Sequence, residues 1–493
     1  MSEKYVLSYD VGTSVIKSVA ISVTGHILGS AECSYETIFL SETHVEQRPE
    51  DYWQTVCRVT HLLFEQTEID PMVCQGVIFC TQWTGIIPMD ENGVPLHDCL
   101  IWMDKRASAQ AERLNNRFGK GKFCDSDYWP KLMWLRENLP DVYDKCHVIL
   151  GVNSYLKFRA AGTFTADVTD CFTTSPVEDR KTFFREILDF GSLDAKKFPE
   201  LCASSDIVGH VTESSSKELG LCAGIPVFGG CDDIAGLAIG VGSCSLGQAH
   251  VYLGTSGWLS YVIPADAHSV TNAPLDNRND IFFLGLGASI GPSTTWTLRA
   301  LFPEYTDMPV GEVWDILTEQ IQQIEPGADR LLAAPWLFGG RPPLTSSAAR
   351  GVFVNLNEKH TRLHMLTAML EGICFMLRQN LDRLHNAYNP DLKELAVCGG
   401  GSRNPRWMQA MADTLKLRII VPKQAVFAGA LGAAYCALDG LGELADYHQA
   451  GAKLVIDKVY EPNPATFAEY DHLYDSFRIL YQSLEPIFMN LNA

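Results

Sequence analysis

Gly229-Gly-Cys-Asp-Asp-Ile-Ala-Gly-Leu-Ala-Ile-Gly-Val-Gly242 follows the apolar run Ile225-Pro-Val-Phe228. The stretch turns on two glycines, presents two adjacent carboxylates and continues in small residues at helical spacing. A few residues on, Val251-Tyr-Leu-Gly-Thr-Ser-Gly257 is an apolar run broken by a hydroxyl-rich turn. Read alone, this is a turn and a closely packed Gly/Ala helix. It also has the parts that phosphoryl transfer needs: a carboxylate that can act as base or metal ligand, and a turn that can cradle phosphate.

The N-terminus carries a matching piece. Tyr5–Asp10 and Ile16–Val23 read as strands joined at Asp10-Val-Gly-Thr-Ser14, with Thr24-Gly25-His26 as the next turn. Gly12 permits backbone approach to an anion, Thr13 and Ser14 can donate hydrogen bonds, Lys17 adds positive charge, and Asp10 can hold hydrated Mg²⁺. The tripeptide Gly12-Thr13-Ser14 recurs as Gly254-Thr255-Ser256 about 240 residues later, in the same strand–turn–strand setting. That spacing, close to half the chain, points to two related halves.

The 493 residues suit two or three domains. A net charge of −20 argues against a nucleic-acid partner, because a duplex would repel it. The fifteen cysteines are scattered without zinc spacing, and Cys80, Cys374, Cys398 and Cys436 fall in apolar runs. Reduced thiols in the cytoplasm are expected. Met1-Ser-Glu-Lys4 leads into a strand with no signal-peptide core, and no run is long enough to span a membrane.

Between the two turns, a helix is expected from Pro49 to about Gln66 and a buried strand at Val77–Cys80. A strand over Leu100–Arg106 would deliver Trp102, Asp104 and Arg106 to one end. Together with the strand-end group Gln82-Trp83-Thr84, these offer amide, aromatic, carboxylate and guanidinium groups suited to a polyhydroxylated ligand. Helical patterns cover Lys131–Glu137 and Asn153–Phe158, and Ala166–Asp170 is a strand or loop rich in hydroxyls and acids. Residues 176–225 read as polar, helical and turn-rich. In the second half, Phe282–Ser289 leads into a helix carrying Trp296. Leu331–Pro335 precedes an open loop at Gly339–Pro343, and Arg350–Phe353 returns as a strand. His360–Asn386 is the longest amphipathic helix. Glu394–Cys398 ends in Gly399-Gly400-Gly401-Ser-Arg-Asn404-Pro405, a strand-to-helix turn open to a phosphate, base or ribose. It lacks the G-x-G-x-x-G pattern of a dinucleotide site.

In family order, the pieces are Asp10–Lys17, Ile101–Arg106, Gly230–Gly236, Leu253–Gly257, Ala349–Phe353, Leu370-Glu-Gly372, Gly399–Asn404 and Ala428–Ala434. With these the chain resembles the FGGY family of carbohydrate kinases, xylulokinase-like, within the actin-like ATPase superfold. The resemblance implies an α/β chain of two ribonuclease-H-like domains around a central cleft. Residues 1–242 would hold the sugar and 243–493 the nucleotide. It implies ATP and Mg²⁺, a small sugar or polyol acceptor such as a ketopentose (xylulose or ribulose), and leaves room for a homodimer. Asp232 would be the general base, and Asp233 a neighbour touching substrate along with Gln82, Trp83, Thr84, Trp102 and Asp104. Asp10 and Asp232 would serve the metal. Gly12, Thr13, Ser14, Lys17, Gly254, Thr255, Ser256, Gly399, Gly400, Gly401 and Asn404 would bind the nucleotide.

Departures bear on the acceptor. Xylulokinase-like members carry Met-His after the glutamine of the strand-end motif, and glycerol kinases an Arg-Glu pair; this chain has Trp83-Thr84. Val15 replaces a common glycine or serine, and Phe427 stands where glutamate is usual. A kinase for another polyol or tetritol, a silent sugar- or nucleotide-binding regulator, and an ATPase without a small acceptor are the competing readings. Asp10, Asp232 and the paired turns favour the kinase. A sugar-sensing repressor would begin with a helix-turn-helix, and this chain begins with a strand.

Overall fold

The structure is a computed structural model that describes residues 3–120, 122–169, 180–254, 256–264, 281–286, 290–339, 348–447 and 454–492. The chain forms two compact units. The first draws on Met1–Leu246, Ile263–Phe282 and Phe427–Lys453, the second on Gly247–Val262, Phe283–Val426 and Leu454–Ala493.

In the first unit, Tyr5–Val11, Val15–Ser22 and Ile27–Ser34 form an antiparallel meander. Cys74–Thr81 joins Tyr5–Val11 in parallel, and Pro226–Phe228 and Cys231–Asp232 then pair in parallel with Cys74–Thr81. Ile207–His210 closes the far edge. The central strands are buried on both faces, as parallel strands require: every residue of Tyr5–Tyr9 is inaccessible to solvent. The helix Pro49–Gln66 starts with proline and two acids and buries Tyr52, Val56, Val59 and Leu63 along one stripe. It covers the meander from one side.

The second unit repeats this order. Ala249–Leu253 pairs antiparallel with Gly257–Ile263, whose next neighbour is Ile281–Leu286. Glu394–Cys398 and Arg418–Pro422 add in parallel, and Ile456–Tyr460 closes the edge antiparallel. Each Gly-Thr-Ser tripeptide therefore occupies the hairpin between the first two strands of its sheet. The long helix expected near 360–386 runs over Arg362–Tyr388. A second long helix, Phe467–Asn492, lies in a stretch for which the sequence reading made no assignment.

One expectation fails. The strand placed over Leu100–Arg106 ends at Leu100. The Asp104 N–H donates back to Ile101 O at 3.0 Å, and the Arg106 fork closes on the Asp104 carboxylate, so the chain turns instead of extending. Asp170, residues 176–179, Ala288–Ser289 and the loop residues 340–343 lie outside the described residues.

The helix Ala428–Gly440 belongs to the first unit and lies on Tyr5–Val11, Cys74–Thr81 and the helix Asp233–Gly240. The two helices touch backbone to backbone. A Cβ on Gly240 would fall 1.8 Å from Ala428 O, and one on Gly432 would fall 1.9 Å from Gly236 O. Neither carbonyl belongs to a side chain that could swing away. Gly432→Ala is expected to destabilise the chain by about 2–3 kcal/mol, the cost of overpacking a tight core. Gly311→Ala, with nothing within 4 Å of the new methyl, serves as the control. Urea unfolding of both variants measures the difference.

Candidate active site

In the first unit the acidic residues gather at the carboxyl ends of three adjacent strands. Asp10 pairs in register with Cys80, Cys231 also pairs with Cys80, and Asp232 pairs with Thr81. In parallel sheets, ligands bind beyond such strand ends. Asp232 is 1% exposed and caps the helix Asp233–Gly240, its Oδ1 accepting from Ala235 N–H at 2.7 Å. Its own N–H donates to Thr169 Oγ1 at 2.8 Å, and the Thr169 hydroxyl donates to Asp167.

Asp10 lies against the start of the Ala428–Gly440 helix, where a Cβ on Gly429 would be 3.3 Å from its carboxyl carbon. The N-terminal end of a helix favours negative charge there. Lys17 reaches Asp10 across the hairpin at 3.3 Å. Burial, with the Asp10 charge as the second cause, pushes the Asp233 carboxyl up to about 7.

The residues expected from the sequence to face the sugar are bound into a network around the first turn. Trp102 Nε1 donates to Thr13 Oγ1 at 2.8 Å, and Gln47 Nε2 donates to Thr13 O at 2.6 Å. Gln47 Oε1 in turn accepts from Gln82 Nε2 and from the Tyr52 hydroxyl, and the Tyr35 hydroxyl donates to Gly12 O. Gln82 and Thr84 are buried, whereas Trp83 and Trp102 are partly exposed and Ser14 is open to solvent. Asp104 is fully buried; its oxygens accept from Arg106 and from Val45 N–H, and Arg106 also reaches Glu46. The Asp104/Arg106 pair is therefore interior, not on the surface.

In the second unit the two glycine turns abut. A Cβ on Gly399, whose φ is +88°, would lie 2.5 Å from Leu253 O, and one on Gly401 would lie 2.8 Å from Leu253 Cβ. Gly254 N–H donates to Ser256 O across the hairpin tip. Gly400 is exposed, and Asn404 caps the following helix through Trp407 N–H. Thr255 lies outside the described residues. Open glycine backbone beside a helix start suits a phosphate-bearing ligand.

The acidic group supplies hard oxygen donors that fit a divalent cation of the Mg²⁺ type. Among the described residues, no cluster of three or more metal-ligating side chains stands ready as a closed cage. Mg²⁺ commonly uses one or two carboxylates with water and phosphate oxygens, so the arrangement is compatible.

The sequence reading missed the residues that hold the acidic turn. Lys157 Nζ donates to Gly229 O at 2.8 Å, Asn153 Nδ2 donates to Phe79 O at 2.8 Å, and Thr169 holds Asp232. A polar residue at a buried helical position was the available signal, and Lys157 and Asn153 both occupy one.

Residues 5–240 match the FGGY family of carbohydrate kinases, N-terminal domain, and residues 307–439 match the C-terminal domain of the same family. Xylulose kinase of Lactococcus lactis subsp. lactis (strain IL1403) is 28% identical over 500 residues, covering 98% of this chain and 97% of that protein. The crystal structure of ligand-bound xylulose kinase from Lactobacillus acidophilus is similar at TM-score 0.86 and 22% identity, covering 99% of this chain and 100% of that one. Gluconate kinase from Lactobacillus acidophilus is similar at TM-score 0.84 and 22% identity, covering 100% of both chains.

The two-unit α/β fold is that of the sugar kinases with the actin-like ATPase architecture. The chain belongs to the FGGY family of carbohydrate kinases, ATP-dependent phosphotransferases that act on an alcohol group of a carbohydrate. No described helix is long and apolar enough to cross a membrane.

The raised Asp233 value has a measurable consequence. Between the ordinary 3.8 and about 7, the folded chain holds a proton on Asp233 that the unfolded chain has lost. This group's stabilising contribution is therefore complete below the unfolded value and is lost as pH rises through about 7. In chelator-treated protein, Asp233→Asn should gain stability relative to the native chain as pH goes from about 5 to about 8. A stability gap that does not change with pH, in urea titrations, contradicts this.

Proposed function

We propose that the acceptor is a ketopentose such as xylulose or ribulose and that Asp232 is the general base. The carrying observation is the placement of Asp10 and Asp232 at the ends of two strands that both pair with Cys74–Thr81, with Asp232 locked by Thr169 and Ala235. A base fixed from both its backbone and its side chain can meet a hydroxyl in one geometry, which is what in-line transfer requires. The xylulose kinase named above, similar over nearly the whole chain, supports the ketopentose.

Bound ATP with Mg²⁺ supplies the phosphoryl group and the charge neutralisation between its phosphates. Asp232 accepts the proton of the acceptor hydroxyl. Asp10 and Asp232 would hold the cation through their oxygens, and Asp233, Trp83, Thr84 and Trp102 would contact the sugar. Gln82, through its Nε2, and Asp104, through both oxygens, bond inside the fold and contribute by fixing that surface. The backbone of Gly12–Ser14 and Gly254–Ser256 cradles phosphates, aided by Lys17, while Gly399–Gly401 and Asn404 line the nucleoside. The first unit is accordingly the sugar side and the second the nucleotide side. The fourteen described cysteines, all free thiols, suit a cytoplasmic setting.

ADP release with ATP and Mg²⁺ against ketopentoses, aldoses, pentitols, tetritols, gluconate and glycerol tests the acceptor. A ketopentose is expected to give the highest kcat/KM, and preference for another class overturns that choice. Asp232→Asn keeps the helix cap and is expected to lower kcat by about 10²–10⁴. ATP affinity measured by calorimetry should fall far less than kcat, since Asp10 and the glycine turns would still hold the cation and the nucleotide. Undiminished turnover removes Asp232 as the base.

A further inference from the structure

Lys131 is fully buried in the helix Tyr128–Asn138, among the core residues Ile86, Leu100 and Leu132. Its ammonium group donates to three backbone carbonyls: Thr84 O at 2.6 Å, Ile101 O at 3.0 Å and Leu100 O at 3.1 Å. Those are the three donors a lysine has. Placing a charge in an apolar core is costly, and these three bonds to the chain's own backbone offset that cost.

The segments it joins are unusual. Thr84 has φ +60°, a left-handed conformation in which a β-branched residue is strained. Beside it, Gln82 Oε1, Trp83 Nε1 and Thr84 Oγ1 are buried polar atoms with no hydrogen-bond partner in the structure. A strained turn with unsatisfied polar atoms needs an external restraint to keep one shape. On the other side, Leu100 and Ile101 lead directly into Trp102, whose indole N–H holds Thr13. Gln82 reaches the same Thr13 through Gln47. The two segments clamped by Lys131 thus both end on the first hydroxyl turn.

We infer that Lys131 is a positioning residue for acceptor recognition: its ammonium fixes the left-handed Trp83–Thr84 turn against the Ile101–Trp102 corner, and their spacing selects the acceptor. The inference rests on the reading of Trp83, Thr84 and Trp102 as the sugar side. Lys131 itself touches no substrate. It acts through the three carbonyls, and the rigidity of that surface depends on a charge deep in the helical layer behind it.

Lys131→Met keeps the length and apolar bulk of the side chain but removes all three donors. Two measurements on the full chain decide the matter. Amide hydrogen exchange without ligand is expected to rise selectively over residues 82–86 and 99–103, with the remainder of the first unit unchanged. In steady-state assays with xylulose, the sugar KM is expected to rise about tenfold to a hundredfold, as small misplacements of binding groups do. The KM for ATP should stay within about twofold. Thr84→Gly, whose backbone adopts positive φ without strain, should shrink the exchange effect of Lys131→Met in the double variant.

Exchange raised uniformly, or sugar and ATP KM raised together, would mean a general structural role and overturns the proposal. Should Lys131→Met not accumulate as folded protein, Lys131→Gln retains two of the three N–H donors on an uncharged group and is judged by the same two outcomes. If the native chain fails to phosphorylate any ketopentose, the acceptor reading falls, while the ligand-free exchange comparison still decides the clamp.

Discussion

The first unit depends on the backbone contact between the helices Asp233–Gly240 and Ala428–Gly440. Only glycine at 236, 240 and 432 permits the approach, because side-chain atoms at those positions would overlap main-chain atoms of the other helix or the buried thiols of Cys80 and Cys231. This crossing seats the start of the later helix over Asp10, with Gly429 leaving room for the carboxyl group. Ser8, two residues before Asp10, completes the attachment by donating to Ala430 O at 2.7 Å. One packing decision therefore sets the surroundings of Asp10. Through the Asp10 charge it also contributes to the raised proton affinity of Asp233.

A second level of organisation fixes the turns themselves. Turns at sheet ends leave carbonyls without ladder partners, and buried carbonyls must find donors elsewhere. Here interior lysines and an asparagine supply donors: Lys131 to Thr84, Lys157 to Gly229 and Asn153 to Phe79. Leu100 O and Ile101 O, which accept from Ile86 N–H and Asp104 N–H, take a further bond from Lys131. Both lysines are inaccessible to solvent. Apolar packing alone fixes a turn loosely, because it has no preferred direction, whereas an ammonium group aimed at several carbonyls sets both position and orientation. The turns at Gly229 and Thr84 thus rest on buried side chains that reach in from neighbouring helices.

How far the sequence was legible follows from the range of each signal. The repeated Gly-Thr-Ser tripeptide is local, and it located the first hairpin of both sheets correctly. The helix Pro49–Gln66 was likewise readable from its proline and acidic first turn. Small residues run through Gly429–Tyr435, but such a pattern cannot say what it packs against, and the partner helix lies nearly 190 residues earlier in the chain. The corner at Ile101–Arg106 was misread as strand because two contacts that hold it, Val45 N–H to Asp104 and Arg106 to Glu46, join residues about 60 positions apart. Lys131 and Lys157 fall within the helical patterns read from the sequence, and their complete burial is what the three-dimensional placement adds.

The second unit solves the same anchoring problem with the opposite charge. Glu371 is buried in the helix Arg362–Tyr388, and its Oε1 accepts from Gly327 N–H, Arg406 and the Tyr470 hydroxyl. Burial raises its proton affinity, and the Arg406 guanidinium works against that. Arg406 lies in the first turn of the helix that follows Gly399–Asn404, so the Glu371 bond ties the glycine turn's exit to the unit's core. In the first sheet the exposed need was for donors to carbonyls. In the second it was for an acceptor to hold a backbone N–H and an arginine. Shared strand order therefore does not imply shared anchoring. Each half reached a rigid turn from whichever backbone group its own geometry left unpaired, which is why the hairpins repeat in the sequence while their supports do not.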